Sequence, residues 1–133
     1  MKIPAPAVPF SQGAPSMVYG EDLLENINYS PQFLRPFLED GTCGLCLDIG
    51  HLLLGREDVL LNLETYFEKT SEVHLHGVDG CRDHLSLSRL PFRQVQTVVG
   101  FLQKKAFSGL VTLEVFDPHD LEESLSLVNQ TLI

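Results

Sequence analysis

Four short apolar runs, each set off from the next by a stretch of helical spacing, constrain this chain more than any other feature. The runs fall at 23–27, 43–49, 72–77 and 110–116. After the first, Ser30-Pro31 opens a helix, with the serine as N-cap and the proline in the first turn. Pro36 kinks or divides that helix, and Gly41 closes it. Val59, Leu60, Leu63 and Phe67 then recur at helical spacing within 57–69. Pro91 starts a helix that reaches about Lys105, where Phe107-Ser108-Gly109 breaks the pattern. Asp117-Pro118 caps a last helix after the fourth run. Strand and helix alternating four times predict an α/β fold whose parallel strands are joined by right-handed crossovers.

Four βα units are half of a (β/α)8 barrel, which usually takes about 250 residues. The chain has 133 residues and 44% apolar content, enough for one domain with one core. Residues 1–16 hold Pro4, Pro6, Pro9, Pro15 and Gly13 and read as a flexible arm, leaving 17–133 as the folded domain. A half-barrel exposes a sheet face and edge strands, so a second copy or a complementary half-barrel is expected as partner. The net charge of −9 disfavours nucleic acid, because the chain repels a phosphate backbone. No apolar run approaches the roughly 20 residues a membrane helix needs, so no membrane partner is expected. The start of the chain lacks a signal-peptide pattern, and three cysteines form a sparse, odd set; both fit a reducing cytoplasm.

Side chains on a strand alternate faces with period two. In the second run Leu45, Leu47 and Ile49 share one face, and Gly44, Cys46 and Asp48 the other. In the third, Val73 and Leu75 oppose His74 and His76. In the fourth, Val111, Leu113 and Val115 oppose Thr112 and Glu114. The first run is less regular: Leu23 shares a face with Glu25, and Leu24 opposes both. Aliphatic residues thus take the parity suited to packing on helices, and ionisable residues take the other, near the carboxyl ends of the strands. Parallel α/β sheets build their sites at those ends. Glu25, Asp48, His74 and Glu114 can therefore converge. Three carboxylates and an imidazole crowd together only if protons or a cation offset the charge. Oxygen-rich ligation with one nitrogen suits Mn²⁺, Mg²⁺ or Zn²⁺.

His51 follows Asp48 by three residues, and Asp83-His84 lies in the loop after the third strand beside Gly77 and Gly80, which let backbone approach a ligand. Together His51, Asp83 and His84 could hold a second cation or a base that activates water. For His76 and His119 a surface or helix-capping role competes with any role in a site. Cys43-Gly44-Leu45-Cys46 has the C-x-x-C spacing, but it lies inside a strand, so Cys46 reads as a small core residue facing the site.

At these positions the sequence resembles the sugar isomerase/epimerase and endonuclease-IV superfamily of barrel proteins. The carrying pieces are Glu25-Asn26, LDIGH at 47–51, VHLH at 73–76 and LEV at 113–115. The resemblance covers about residues 20–130 and corresponds to the C-terminal half of that barrel. HLHGVDGCRDHLSL at 74–87 and LEVFDPHDLEESL at 113–125 are most similar to the cobamide-remodelling phosphodiesterases. The resemblance implies metal-dependent hydrolysis of a phosphodiester in a B12-type corrinoid. Glu25, Asp48, His74 and Glu114 would be the metal ligands. His51, Asp83 and His84 would complete a multi-metal or substrate-binding shell. The family's first four strands have no counterpart here, which puts the activity of this chain in question. A sugar isomerase or epimerase would use the same four ligands. A non-catalytic half-barrel that assembles with a partner is the reading outside enzymes.

Overall fold

The computed structural model describes residues 22–132, so the proline-rich arm expected at 1–16 lies outside the described residues. The described residues form six strands: β1 (Asp22–Glu25), β2 (Cys43–Asp48), β3 (Thr70–Leu75), β4 (Gly77–Asp79), β5 (Arg82–Leu85) and β6 (Leu110–Leu113). β1, β2, β3 and β6 form one sheet in that order, and every neighbouring pair is parallel. The α/β class with a four-stranded parallel sheet follows the sequence expectation.

The helices are α1 (Arg35–Glu39), α2 (Ile49–Leu54), α3 (Val59–Tyr66), α4 (Phe92–Lys104) and α5 (Pro118–Thr131). Ser30 caps a single 3-10 turn over Pro31–Leu34, and α1 follows it with Pro36 in its first turn, so the proline divides the segment as its geometry requires. Gly41, at φ 76°, ends it in the left-handed region. On α4, Val95, Val98, Val99 and Leu102 are buried, a repeat of three and four that lays one face on the sheet. That face meets Leu45, Leu47, Val73, Leu75, Val111 and Leu113, all buried. Each such side chain stabilises the fold by about 1.5–3 kcal/mol relative to exposure.

Two elements differ from the expectation. The segment after β3 is an antiparallel hairpin, β4 paired with β5, turning at Gly80 with φ 62°. Its strands are too short and too polar to show a period. Gly77 serves this hairpin, since a Cβ there would overlap the Ser86 carbonyl; it does not open room for a ligand. The helix expected over 57–69 resolves into α3 and a 3-10 turn at Phe67–Lys69, and α2 precedes it directly after β2. The strands also end sooner than the apolar runs. Glu114 lies one residue past β6, yet its N–H still donates to the Leu75 carbonyl at 2.9 Å, which holds it in sheet-like register. Among the described residues no helix is long and apolar enough to cross a membrane.

Candidate metal centre

The parity of the strands delivers four side chains to one point. Glu25 ends β1, Asp48 ends β2, His74 is the penultimate residue of β3, and Glu114 follows β6. Register sets Asp48 beside His74 and His74 beside Thr112. His74 Nδ1 lies 3.1 Å from Glu114 Oε2, 3.2 Å from Glu25 Oε1 and 3.8 Å from Asp48 Oδ2. One candidate ligand atom from each of the four residues falls within 4.8 Å of all the others. Leu24 of β1 packs toward the core and Leu23 is exposed, which settles the irregular parity of that strand in favour of Glu25 at the site.

The opposite edge of the His74 ring is held. Its Nε2–H donates to Glu72 Oε1 at 2.9 Å, and Thr112 Oγ1 donates to the same oxygen at 2.8 Å. A carboxylate on one ring nitrogen fixes the tautomer and aims the other nitrogen's lone pair outward, as in ligating histidines generally. Burial alone would lower the His74 pKa. The Glu72 hydrogen bond and the charges of Glu114 and Glu25 outweigh it and leave the pKa raised. A nitrogen ringed by three carboxylates holds a proton or shares a cation with them.

Asp48 is fully buried and organises the floor of the site. Its Oδ1 accepts from the His51 N–H at 2.8 Å, as N-cap of α2, and from His76 Nε2–H at 2.8 Å. Burial pushes its pKa up, but these bonds and the two imidazoles bring it below the ordinary range. Its Oδ2 is buried and receives no hydrogen bond among the described residues; His51 Nδ1, whose proton goes to the Asn26 carbonyl, lies 3.2 Å away and His74 Nδ1 3.8 Å. An ionised carboxylate oxygen left so costs free energy that a coordinated cation would offset. That orphaned oxygen, turned toward the His74 group, is the observation on which the four residues fit a divalent ion. Ligand bonds of about 2.0–2.2 Å are compatible with the spacing found. For Glu25, burial is the largest influence and, with the Asp48 and Glu114 charges, raises the pKa against the lowering effect of His74. Cys46 faces the same side, with its sulfur at ligand spacing from Glu25 and His74; burial, then the charge of Glu25, drive its thiol pKa far up. All three cysteines are free, and the C-x-x-C spacing forms no disulfide.

A second group adjoins the first. The structure brings His51, Asp83 and His84 together as the sequence led one to expect. His51 Nδ1 lies 3.0 Å from the Asn26 carbonyl, which accepts its N–H and leaves Nε2 free, 3.5 Å from Asp83 Oδ2. His84 Nδ1 lies 2.9 Å from Asp83 Oδ1, and its Nε2 is 3.3 Å from Glu114 Oε2. Glu114 Oε2 therefore stands between His74 and His84. The His84 hydrogen bond lowers the Asp83 pKa, so this half-exposed carboxylate is ionised at neutral pH. His84 has φ 55°, and its ring stacks between those of His76, at 4.3 Å, and Phe116, at 4.8 Å.

His76, Glu72, Thr112 and Asn26 complete the site without having been assigned to it from the sequence. His76 is fully buried, under α2, and both its nitrogens are engaged: Nε2 by Asp48, Nδ1 by the His84 N–H at 3.0 Å. It positions Asp48 and is not at the surface. Glu72, His76 and Thr112 share the parity of His74 and Glu114, and that period was their available signal. Asn26 carried none. Its amide exchanges two hydrogen bonds with the Asp48 backbone, 2.9 and 3.0 Å, across 22 residues of sequence. His119 is exposed at the start of α5, near the Asp117 cap, away from this centre.

Comparison with family models, with curated proteins and with solved structures gives no match in any of the three.

Proposed function

We propose that this chain is a divalent-metal-dependent hydrolase of phosphodiesters, with Glu25, Asp48, His74 and Glu114 as the ligands of Mn²⁺, Zn²⁺ or Mg²⁺. The observation that carries the reading is Glu114 Oε2 lying between His74 Nδ1 and His84 Nε2, so that one carboxylate serves two adjoining groups of donors. A cation there would polarise phosphoryl oxygens and lower the pKa of bound water. Asp83, ionised and wedged between His51 and His84, can accept a proton from the attacking water or hold a second ion with them. The additional imidazoles favour hydrolysis over the sugar isomerase or epimerase reading, which needs only the first four residues.

The cobamide phosphodiester is the substrate to which the resemblance of 74–87 and 113–125 leads. The sheet is proposed as the C-terminal half of a (β/α)8 barrel. In support, its strands are all parallel, its ionisable residues gather at the carboxyl ends, and among the described residues the outer edges of β1 and β6 have no strand partner. A second copy or a complementary half-barrel would close those edges. Three free thiols support the cytoplasm as its place.

The test is metal analysis of the purified chain joined to a hydrolysis assay on a cobamide with each of the three ions. Stoichiometric metal, lost in Asp48→Ala and Glu114→Ala together with hydrolysis, is the expected result. Metal content unchanged in both variants would sink the site, and a loaded but inert protein would sink the activity.

A further inference from the structure

Beside the metal centre, a cavity of about 510 Å³ opens at the carboxyl ends of β1 and β2. His51 and Asp83 form the wall it shares with the centre. Ile27, Tyr29 and Leu54 supply apolar surface, and Glu57 adds a carboxylate. The size falls in the range of about 300–1,000 Å³ typical of small-molecule sites.

Two properties of the lining decide what it can hold. First, none of the nine lining residues is lysine or arginine, while two are carboxylates. A second phosphate or a carboxylate in this cavity would face Glu57 and Asp83, with His51 as the one basic side chain of the lining. Second, Ile27 and Tyr29 leave much of their apolar surface open, at 56% and 41% exposure, on the same wall. The Tyr29 hydroxyl donates to the Glu25 carbonyl at 2.9 Å, so the ring is tethered to the end of β1 before any ligand arrives. A ring fixed in advance loses little freedom on binding. Aromatic faces of this kind pair with other rings in offset or edge-on geometry.

We infer that this cavity binds an uncharged, ring-bearing organic group joined to the phosphodiester whose phosphate sits at the metal centre. The inference rests on the hydrolase reading for the phosphate and on the cavity alone for the ring. It assigns Ile27, Tyr29 and Leu54 as specificity residues.

The experiment has two arms. In the first, the full chain with Mn²⁺ is assayed on dimethyl phosphate and benzyl methyl phosphate, of which only the second carries a ring. The benzyl ester should show a KM lower by roughly tenfold, the order expected for burying one ring. Tyr29→Ala should erase most of that gap, and Tyr29→Phe, which keeps the ring but loses its tether to the Glu25 carbonyl, should retain part of it. In the second, the ¹⁵N-labelled full chain without added metal is titrated with indole. Amide shifts should concentrate at Ile27, Tyr29 and Leu54. Equal KM values for the two esters would overturn the inference, as would inorganic phosphate moving the same amides as strongly as indole. Indole binding with no turnover of either ester would remove the hydrolase reading and leave the ring site standing.

Discussion

Glu72 accepts the Nε2 proton of His74 at 2.9 Å while the other nitrogen of that ring faces Glu25, Asp48 and Glu114. The contact joins two residues of one strand face, and it determines what the ring can offer a cation. Replacing Glu72 by alanine frees the ring to rotate and to take the other tautomer. Divalent-ion affinity measured by calorimetry should then fall by about 10- to 100-fold, as it does when such outer carboxylates are removed elsewhere. Thr112→Val, which removes only the hydrogen bond behind Glu72, should cost less. Affinity unchanged in Glu72→Ala would show that Glu72 does not orient the ring.

The protonation of His74 sets a pH dependence. Its pKa in the folded chain is raised above the ordinary 6.5, with burial opposing and the Glu72 bond and neighbouring carboxylates prevailing. The folded state thus binds a proton more tightly than the unfolded state. That stabilisation is full below about 6.5, the unfolded value, and is lost as pH rises through the folded value. Without metal the protein should therefore melt at lower temperature at pH 8.5 than at pH 6. A divalent ion competes with the same proton, so its stabilising effect should grow over the same interval. Thermal melts in chelator and in Mn²⁺ at both pH values check the sign. A chelated protein that gains stability toward pH 8.5 would contradict it.

Period-two alternation made the four central residues legible, because a buried parallel strand leaves each side chain only two directions. The same rule contained Glu72, His76 and Thr112, but a single glutamate or histidine on a short strand is as easily solvent-facing. Only the neighbouring strands bury them. The hairpin of β4 and β5 was not legible, since its pairing depends on the Gly80 turn and on Gly77 lying against Ser86 rather than on hydrophobic pattern. The role of Asn26 was beyond reach for a different reason. Its partners are backbone groups 22 residues away, and no local periodicity encodes that pairing.

Gly50 is required by the site, not by helix geometry. It lies in the first turn of α2, and a Cβ there would run into the His76 ring. His76 cannot retreat, because it is fully buried and both ring nitrogens are bound. Gly50→Ala should destabilise the fold by about 1–3 kcal/mol, the usual cost of overpacking, although alanine is the better helix former. Urea denaturation measures it. His76→Ala combined with Gly50→Ala should recover part of the Gly50→Ala loss relative to His76→Ala alone, since the clash is gone.

Asn26 links the fold to the chemistry most directly. Its side-chain amide takes the place of a strand backbone at the end of β1, donating to the Asp48 carbonyl and accepting from the Asp48 N–H. Its own carbonyl faces His51 Nδ1. Asn26→Ala leaves two buried backbone groups of Asp48 without partners, at about 1–3 kcal/mol each. Asn26→Asp keeps the acceptor for the Asp48 N–H but places a carboxylate against the Asp48 carbonyl, so it should not rescue the loss. The carbonyl that orients His51 belongs to the backbone and survives either substitution, but its position depends on the amide bonds that hold Asn26. The expected pattern is therefore lower stability in both variants, with a weaker second set of ligands at His51, Asp83 and His84. Metal titration of each variant at a temperature where it remains folded separates the two effects. Stability near that of the parent in Asn26→Ala would mean that water replaces the amide and that β1 is held by its four paired residues alone.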